Sequence, residues 1–365
     1  MVQQLETAPL SRAPDHPTVS TSKSPRPPSS SAPTLDSTST SSTAHKRARK
    51  PRIVLEGTTD EILARNNTAA EPRFVDKLLS TAGKQWNQFY KHHAATPFFK
   101  DRHWTLREWP QLATLGDAAV GDDGEELGDS ASGGRGKGKR KAVLEVGCGT
   151  GAFIYPLLEQ YSSARFVAFD FAKKWVLSNA NHDPAHCHIF QHDLTAPRAV
   201  LDDKLAQPPP EFGEPVLEFD FVSAVFVLSA LDPAKQAKAM QTLVSLLAPG
   251  GSLLFRDYAL HDAAQLRFHS LPSASYAANP SLLSDSVPLY RRGDNTLTYF
   301  FTAGDVRALV EGAVEAVNAE RRSEGRDDEV VLEGGVEVVE REMQNRAEQW
   351  GCTRRFVHGS WRRVK

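Results

Sequence analysis

Cysteine is scarce in this chain, and long apolar runs are absent. The only cysteines among the 365 residues are Cys148, Cys187 and Cys352. They form no CxxC pair, so the sequence indicates neither a disulfide framework nor a metal site of the zinc type. No stretch of about 18 apolar residues exists, which argues against a membrane-spanning helix. No apolar segment follows the first methionine, so we expect no secretory signal.

The formal net charge is only −2, so the whole molecule is not a polycation. Local composition varies much more. Residues 1–45 are rich in Ser, Thr and Pro and have almost no large apolar side chain after Leu10, so we expect them to be disordered. The basic cluster at 46–52 fits a nuclear signal, an RNA-contacting arm or a solvated junction.

A glycine-rich turn follows an apolar run near the middle of the chain. Val143-Leu-Glu-Val leads into Gly147-Cys-Gly-Thr-Gly151. Glycine lacks a Cβ, so this turn can adopt positive φ angles and let the backbone approach a bound molecule closely. The spacing differs from the dinucleotide motif G-x-G-x-x-G and resembles the first motif of class I S-adenosylmethionine (AdoMet) methyltransferases. Taken alone, the turn could also be only a tight connection from strand to helix.

Two further apolar runs end in acidic residues. The run 165–170 ends in Asp170, where a carboxylate can accept hydrogen bonds from both ribose hydroxyls of a nucleoside. Alternatively, Asp170 caps the helix that we predict over 172–181. The run 188–193 ends in Asp193, which can accept from an adenine amino group.

The spacing of the remaining elements predicts a doubly wound, Rossmann-like α/β sheet with its ligand above the carboxyl ends of the strands. Later strands are predicted over 219–228 and 252–256, with a helix over 233–247 between them. Segments 330–339 and 354–361 are expected to form a closing antiparallel hairpin.

Aromatic and basic side chains are interleaved ahead of the glycine turn. Trp86, Phe89 and Tyr90 recur at helical spacing, as in a helix packed on the catalytic core. Core packing alone would not require so many cations among them. Bases stack on aromatic rings and phosphates pair with Lys or Arg, so the segment favours contact with nucleic acid. The cations are Lys91, His92, His93, Lys100, Arg102 and His103.

Several motifs in this order resemble those of the eukaryotic tRNA N3-methylcytidine methyltransferases. The resemblance runs from about Arg52 to the C terminus outside the loops, and its most specific string is Phe98-Phe-Lys-Asp-Arg-His-Trp104. Arg52-Ile-Val and His103-Trp-Thr-x-Arg-Glu108 most resemble the branch that acts on serine tRNAs; threonine and arginine tRNAs are the alternative. The other motifs are Trp86-x-x-Phe-Tyr90, Glu145-Val-Gly-Cys-Gly-x-Gly151, Phe226-Val-Leu-Ser-Ala230, Phe255-Arg-Asp-Tyr258, Ala264-Gln-Leu-Arg-Phe268 and Tyr299-Phe-Phe-Thr302.

The resemblance implies an AdoMet-dependent enzyme that methylates N3 of cytidine 32 in the tRNA anticodon loop. It also implies a seven-stranded, mostly parallel class I sheet, a cytoplasmic setting and help from seryl-tRNA synthetase, while the basic cluster leaves nuclear entry open. We therefore divide the chain into a disordered tail (1–51), a tRNA-binding and cofactor-capping segment (52–112), a low-complexity insertion (113–141) and a methyltransferase domain (142–365). Cofactor contacts are expected from Trp86, Tyr90, Glu145, Gly147, Gly149, Asp170, Asp193, Leu194, Val225 and Phe226.

Catalytic and tRNA-binding roles are assigned to residues outside that cofactor set. Methylation at N3 places a positive charge on cytosine, and Asp257 is the candidate to stabilise it, with Tyr258 shaping the pocket. The alternative is that Arg256 and Asp257 form a structural ion pair. Candidate phosphate contacts, each of which could instead be a solvated surface charge, are Lys91, Lys100, Arg102, His103, Arg267, Arg291, Arg292, Arg354 and Arg355.

Two other functions are compatible with parts of the sequence. A class I methyltransferase acting on a protein or a small molecule would share the sheet motifs, but the aromatic and basic segment argues against it. A non-catalytic RNA-binding scaffold would not need the intact glycine turn and its acidic partners. A Ser/Pro-rich insertion at about 270–287 departs from the family pattern and affects the loops expected on the substrate side.

Overall fold

A seven-stranded sheet forms the centre of the fold, and a separate two-stranded sheet lies outside it. The computed structural model describes residues 55–92, 101–116, 140–172, 182–345 and 350–365. The strands are β1 (Ala142–Val146), β2 (Arg165–Asp170), β3 (Cys187–Gln191), β4 (Phe219–Val225), β5 (Leu247–Tyr258), β6 (Leu289–Arg291), β7 (Leu297–Tyr299), β8 (Leu332–Asn345) and β9 (Trp350–Arg363).

The sheet order is β3-β2-β1-β4-β5-β9-β8, while β6 pairs with β7. Strands β1 to β5 pair in parallel, and β9 is antiparallel to both β5 and β8. The predicted α/β class and the closing hairpin are therefore confirmed. The helices of the described residues are α1 (Thr59–Leu63), α2 (Pro72–His92), α3 (Thr105–Glu108), α4 (Ile154–Gln160), α5 (Arg198–Leu205), α6 (Pro233–Ser245), α7 (Ala263–His269), α8 (Ser273–Ala278) and α9 (Ala303–Ser323).

Both faces of the sheet are covered, which explains the near-continuous apolar runs of its strands. Along β1, Leu144 packs in one buried cluster with Met240 of α6 and Val306 of α9. The preceding residue, Val143, packs in a second cluster with Phe153 ahead of α4. Alternate residues of one strand thus point to opposite layers, as the strand geometry requires.

Several strands differ in length from the prediction: β8 and β9 are longer than the segments 330–339 and 354–361, and the ends of β4 and β5 also differ. Strand β4 ends at Val225 instead of continuing to 228, because Phe226 has a φ of +61° and turns the chain away. Strand β5 continues to Tyr258, beyond the predicted end at 256, because Asp257 and Tyr258 still pair with Val357 and Phe356 of β9.

The Ser/Pro-rich segment at 270–287 is packed against the rest of the fold. It contains α8, and its Tyr276 side chain is buried. The Tyr276 hydroxyl donates to the Thr68 carbonyl at 3.0 Å, and the Ala70 amide donates to the Leu282 carbonyl at 2.9 Å. This segment therefore fixes the chain that leads into α2.

Some expectations fall outside the described residues. They concern the disordered tail predicted at 1–51, His93 and Lys100, most of the insertion at 113–141, and the helix predicted over 172–181. Within the described ranges, no helix is long and apolar enough to cross a membrane. The same ranges contain no group of three or more His, Cys, Asp and Glu side chains placed to hold a metal ion.

Candidate active site

The glycine turn after β1 is in close contact with α2. Gly147 and Gly149 have φ angles of +61° and +55°, which disfavour any residue with a Cβ. A Cβ on Gly149 would lie 2.6 Å from the Tyr90 hydroxyl oxygen, and one on Gly147 would lie 2.6 Å from a methyl group of Val227. The turn thus needs glycine for its backbone shape and for its close neighbours.

Asp170 holds this turn from the end of β2. Its two carboxylate oxygens accept hydrogen bonds from the Gly149 amide at 2.9 Å and the Ala172 amide at 2.7 Å. Burial raises the pKa of Asp170, and the two backbone donors oppose that shift. The Ala172 contact has the form of a local side-chain cap. The helix that Asp170 was predicted to cap lies outside the described residues, so both predicted roles of this carboxylate stay predictions.

Asp193 and Leu194 follow β3 at the same edge of the sheet. One oxygen of Asp193 accepts from both the amide and the hydroxyl of Thr195, each at 2.8 Å. Leu194 is buried in the main hydrophobic cluster. Asp193 therefore has a fixed orientation beside an apolar neighbour.

A cavity of about 260 Å³ joins these elements. Trp86 and Tyr90 of α2 line one side, with their ring centroids 6.0 Å apart. Asp170 and Asp193 line the same cavity. The structure thus brings together an aromatic pair and two carboxylates that lie far apart in the sequence. Other lining residues are Gly147, Phe171, Leu194, Phe226 and Lys235.

A smaller cavity of about 40 Å³ shares Trp86, Tyr90 and Phe226 with the first. Its remaining lining includes Gly149 and Val225. The two spaces form neighbouring parts of one site, since the same side chains border both. Arg102, Tyr258 and Arg292 also line the smaller space.

Arg102 lines the smaller cavity and is largely shielded from solvent. Its side chain is 13% exposed, and its Nη1 atom lies 3.7 Å from Oε1 of Glu145. That distance is too long for a hydrogen bond, and Nη1 has no hydrogen-bond partner. The predicted phosphate contact at Arg102 is therefore corrected to a largely buried cation at the smaller cavity.

Glu145 lies beneath the glycine turn at the end of β1. The side chain is buried, and its Oε2 atom has no hydrogen-bond partner. Burial raises the pKa of Glu145 to about 8, and the charge of Arg102 opposes this shift. Glu145 thus contacts Arg102 and does not line either cavity.

Asp257 also lies below the cavity surface. Its side chain has no exposed area, and it accepts hydrogen bonds from the amides of Ser229 and Tyr258, both at 2.9 Å. Burial raises its pKa to about 6. The alternative pairing with Arg256 is wrong, because Arg256 donates to Glu108 at 2.8 Å. Asp257 therefore fixes the turn after β4, while Tyr258 borders the cavity.

Comparison with known proteins shows the family. Residues 124–313 match the family model described as a methyltransferase domain. The human tRNA N(3)-cytidine methyltransferase METTL6 is 36% identical over 252 residues, which cover 68% of this chain and 74% of that protein. The zebrafish (Danio rerio) tRNA N(3)-cytidine methyltransferase METTL2 is 33% identical over 301 residues, covering 78% of this chain and 74% of that protein.

This chain belongs to the tRNA N(3)-cytidine methyltransferase family. It is thus a methyltransferase, as the motifs predicted. Among solved structures, one similar chain is the N-methyltransferase NodS from Bradyrhizobium japonicum, in complex with S-adenosyl-L-homocysteine. That chain has a TM-score of 0.38 and 16% identity, and the match covers 77% of this chain and 100% of that one.

Among the predicted tRNA contacts of this methyltransferase, two arginines lie against the aromatic wall of the site. Arg292 lies 5.3 Å from the centroid of the Tyr258 ring and 6.0 Å from that of Trp86. Arg354 lies 5.6 Å from the Tyr258 ring and pairs with Asp262 at 2.8 Å. Both cations therefore lie beside the Tyr258 ring.

The other predicted cations divide by exposure. Arg291 is buried and donates to the carbonyls of Asn279 at 3.1 Å and Pro280 at 3.3 Å, so its predicted phosphate contact is corrected to a structural role. Arg355 pairs with Glu340 at 3.2 Å. Exposed side chains are those of Lys91, His103 and Arg267.

Two features of the site were not predicted. Phe171 lines the large cavity and packs on Gly83 of α2, where any Cβ would overlap its ring. Glu108 forms ion pairs with Arg256 and Arg341, which its sequence motif did not indicate. A glycine inside a helical pattern was the available signal for the first feature. The second joins residues far apart in the chain, so nothing local pointed to it.

Proposed function

We propose that this methyltransferase transfers the methyl group of AdoMet to N3 of cytidine 32 in the anticodon loop of serine tRNAs. The observation that carries the proposal is the shared cavity, in which Trp86 and Tyr90 face Asp170 and Asp193. Membership of the tRNA N(3)-cytidine methyltransferase family supports the base and the atom. The serine preference rests on the motif resemblance around His103–Glu108.

The cofactor of this methyltransferase is AdoMet. When bound, it supplies a methyl group on a positively charged sulfur. The residues present fit such a ligand. Asp170 would accept from the ribose hydroxyls, and Asp193 with Leu194 would contact the adenine. The unpartnered Nη1 atom of Arg102 suits a carboxylate, and only the methionine end of AdoMet offers one.

Binding and orientation are the main tasks of the protein in this reaction. Cytosine N3 carries an in-plane lone pair and is mostly unprotonated near neutral pH, so no strong base is required. Aligning the acceptor atom with the methyl group is a proximity effect. Trp86 and Tyr90 would cover the reacting groups and exclude water, and Tyr90 is buried in α2 with Trp86 packed against it.

The target base must leave the anticodon-loop stack before its N3 atom can react. Tyr258 and Phe226, whose ring centroids lie 4.9 Å apart, form an aromatic surface at the cavity on which a base can stack. In this proposal Asp257 is a positioning residue, because it holds the Ser229 backbone below that surface. Its carboxylate also favours the positive charge that N3 methylation places on cytosine.

Placement of the tRNA would come from cations around the mouth of the site. Lys91, His103, Arg267, Arg292, Arg354 and Arg355 remain our candidates for phosphate contact, with Lys100 outside the described residues. Phosphate contacts orient the RNA without reading its sequence, so isoacceptor choice needs another source. We propose that seryl-tRNA synthetase assists this choice and that the reaction takes place in the cytoplasm, with nuclear entry through residues 46–52 as a further option.

Sequencing of native tRNAs, from cells with and without this protein, tests the assignment. We expect the N3-methylcytidine signature at position 32 of serine tRNAs to disappear without the protein. It should return with the wild-type gene and fail to return with Asp170→Ala. Loss confined to threonine or arginine tRNAs would reject the serine assignment and keep the reaction.

A further inference from the structure

Three arginines converge on the carboxylate of Glu108, at the end of α3. Arg256 donates to its Oε2 atom at 2.8 Å, and Arg341 and Arg107 donate to its Oε1 atom at 2.9 Å and 3.2 Å. Glu108 is 5% exposed, and these hydrogen bonds and charges lower its pKa to about 2 despite the opposing effect of burial. A single negative charge therefore faces three positive charges, and the cluster has an excess of positive charge.

The three arginines differ in exposure to solvent. Arg256 is buried between aromatic rings, 4.8 Å from the centroid of Trp104 and 4.5 Å from that of Phe356, so it belongs to the fold. Arg107 and Arg341 are 71% and 44% exposed. A guanidinium carries five N–H donors, and Glu108 occupies only some of them on these two side chains. Donors on both arginines are thus accessible to a ligand.

Glu340 and Glu342 flank Arg341 along β8. Glu340 pairs with Arg355 at 3.2 Å. Glu342, one residue beyond Arg341, accepts a hydrogen bond from the Thr353 hydroxyl at 2.6 Å. Because side chains alternate along a strand, both carboxylates lie on the face of β8 opposite to Arg341.

The cluster adjoins the aromatic wall of the active site. The Phe356 ring that stacks on Arg256 lies 5.6 Å from the Phe226 ring, which lines both cavities. Arg256 also lies one residue before Asp257 on β5. The exposed arginines are therefore at the same end of the sheet as the proposed base pocket.

We propose that Arg107 and Arg341 together bind one phosphodiester group of the RNA substrate, close to the nucleotide that enters the site. The inference rests on the proposed function. Planar guanidiniums bind phosphate oxygens through paired hydrogen bonds. Glu108 holds both arginines in place, which reduces the entropy lost when the phosphate binds. An RNA phosphate fits better than an acidic protein segment, because the pair lies at the same end of the sheet as the proposed pocket for a base.

Binding of full-length serine-tRNA transcript to the full-length protein tests this contact. The variant is Arg107→Gln with Arg341→Gln, and its matched control is Arg322→Gln with Arg362→Gln. The control removes the same charge from exposed arginines near the opposite end of β5. We expect the first variant to weaken tRNA binding about tenfold and to reduce the slope of log affinity against log salt by roughly one. The control should change neither quantity by a comparable amount.

Several outcomes would overturn the inference. Unchanged tRNA affinity in the first variant would do so, and so would an equal loss in the control. A defect that appears only when seryl-tRNA synthetase is present would assign the arginines to a protein interface instead. AdoMet affinity should be the same in all three proteins. Because the readout is binding, a wild type that binds tRNA without forming N3-methylcytidine would contradict the proposed function alone.

Discussion

At the scale of single residues, Arg102 has the environment that is hardest to explain without a ligand. Its guanidinium is buried beside Glu145, and its Nη1 atom lacks a hydrogen-bond partner. Buried polar groups in folded proteins are nearly always hydrogen-bonded. A carboxylate ligand would supply the missing acceptor.

Replacing Arg102 by Gln should therefore weaken binding of the reaction product S-adenosylhomocysteine by roughly 10- to 100-fold, the effect of one charge-assisted hydrogen bond. Binding of 5′-methylthioadenosine, which has no amino-acid carboxylate, should change little. Calorimetry with both ligands provides the measurement. The control is Arg362→Gln, which removes an exposed arginine that lines neither cavity and should leave both affinities unchanged. Equal losses for both ligands would show that Arg102 only supports the fold.

The raised pKa of Asp257 predicts that the stability of the protein depends on pH. Its pKa in the folded protein is about 6, above its ordinary value of 3.8. Between pH 3.8 and about pH 6, Asp257 keeps its proton in the folded protein and releases it in the unfolded chain. Rising pH therefore reduces the free energy of unfolding. The reduction in the free energy of unfolding that Asp257 causes is complete above about pH 6 and amounts to about 3 kcal/mol.

Comparing wild type with Asp257→Asn isolates this contribution, because Asn does not titrate. Relative to wild type, the variant should become more stable as the pH rises from about 4 to about 6. Chemical denaturation at a series of pH values measures the difference. Parallel stability curves for the two proteins would mean that Asp257 titrates normally.

The positions of Asp170 and Asp193 could be predicted because parallel strands end at one edge of a sheet, so acids at those ends must lie together. The burial of Arg102 could not be predicted, because the sequence of a basic segment does not indicate which of its arginines is buried. Likewise, Asp257 accepts a hydrogen bond from Ser229, which is 28 residues away in the sequence. Such contacts exist only after the chain has folded.

At the scale of elements, α2 lines the larger cavity, which we propose holds the cofactor, and the position of this helix depends on a small residue. Gly83 lies inside this helix, directly against the Phe171 ring. Glycine disfavours a helix by about 1 kcal/mol relative to alanine, so its presence there needs a reason. Close approach to Phe171 provides one.

Gly83→Ala should raise the dissociation constant for AdoMet several-fold, because the new Cβ must displace either α2 or the Phe171 ring. Gly312→Ala in α9 is the matched control, since its Cβ would meet no atom within 4 Å. That control should leave AdoMet affinity unchanged. Equal affinities for the two variants would show that α2 adapts to the added methyl group.

Strands could be predicted where the pattern of apolar residues in the sequence is regular. The apolar run of β2 is an example, since five of its six residues are buried. The early end of β4 could not be predicted, because Phe226 is a non-glycine residue with a positive φ angle. The packed segment around α8 was also missed, since its Ser and Pro content is typical of loops.

At the scale of the whole molecule, a chain with a net charge of −2 is expected to bind a polyanion. It can do so because the candidate cations are concentrated near the carboxyl ends of the strands. Arg292 and Arg354 flank Tyr258, and Arg107 and Arg341 meet at Glu108. Local distribution of charge, rather than its total, therefore determines where RNA would bind.

The most direct measurement is nucleoside mass spectrometry after incubation of the purified protein with AdoMet and serine-tRNA transcript, with and without seryl-tRNA synthetase. We predict N3-methylcytidine at position 32, and none with a transcript carrying uridine there or with Asp170→Ala protein. Tight AdoMet binding by the wild type, without N3-methylcytidine in any tRNA even when the synthetase is present, would contradict the account.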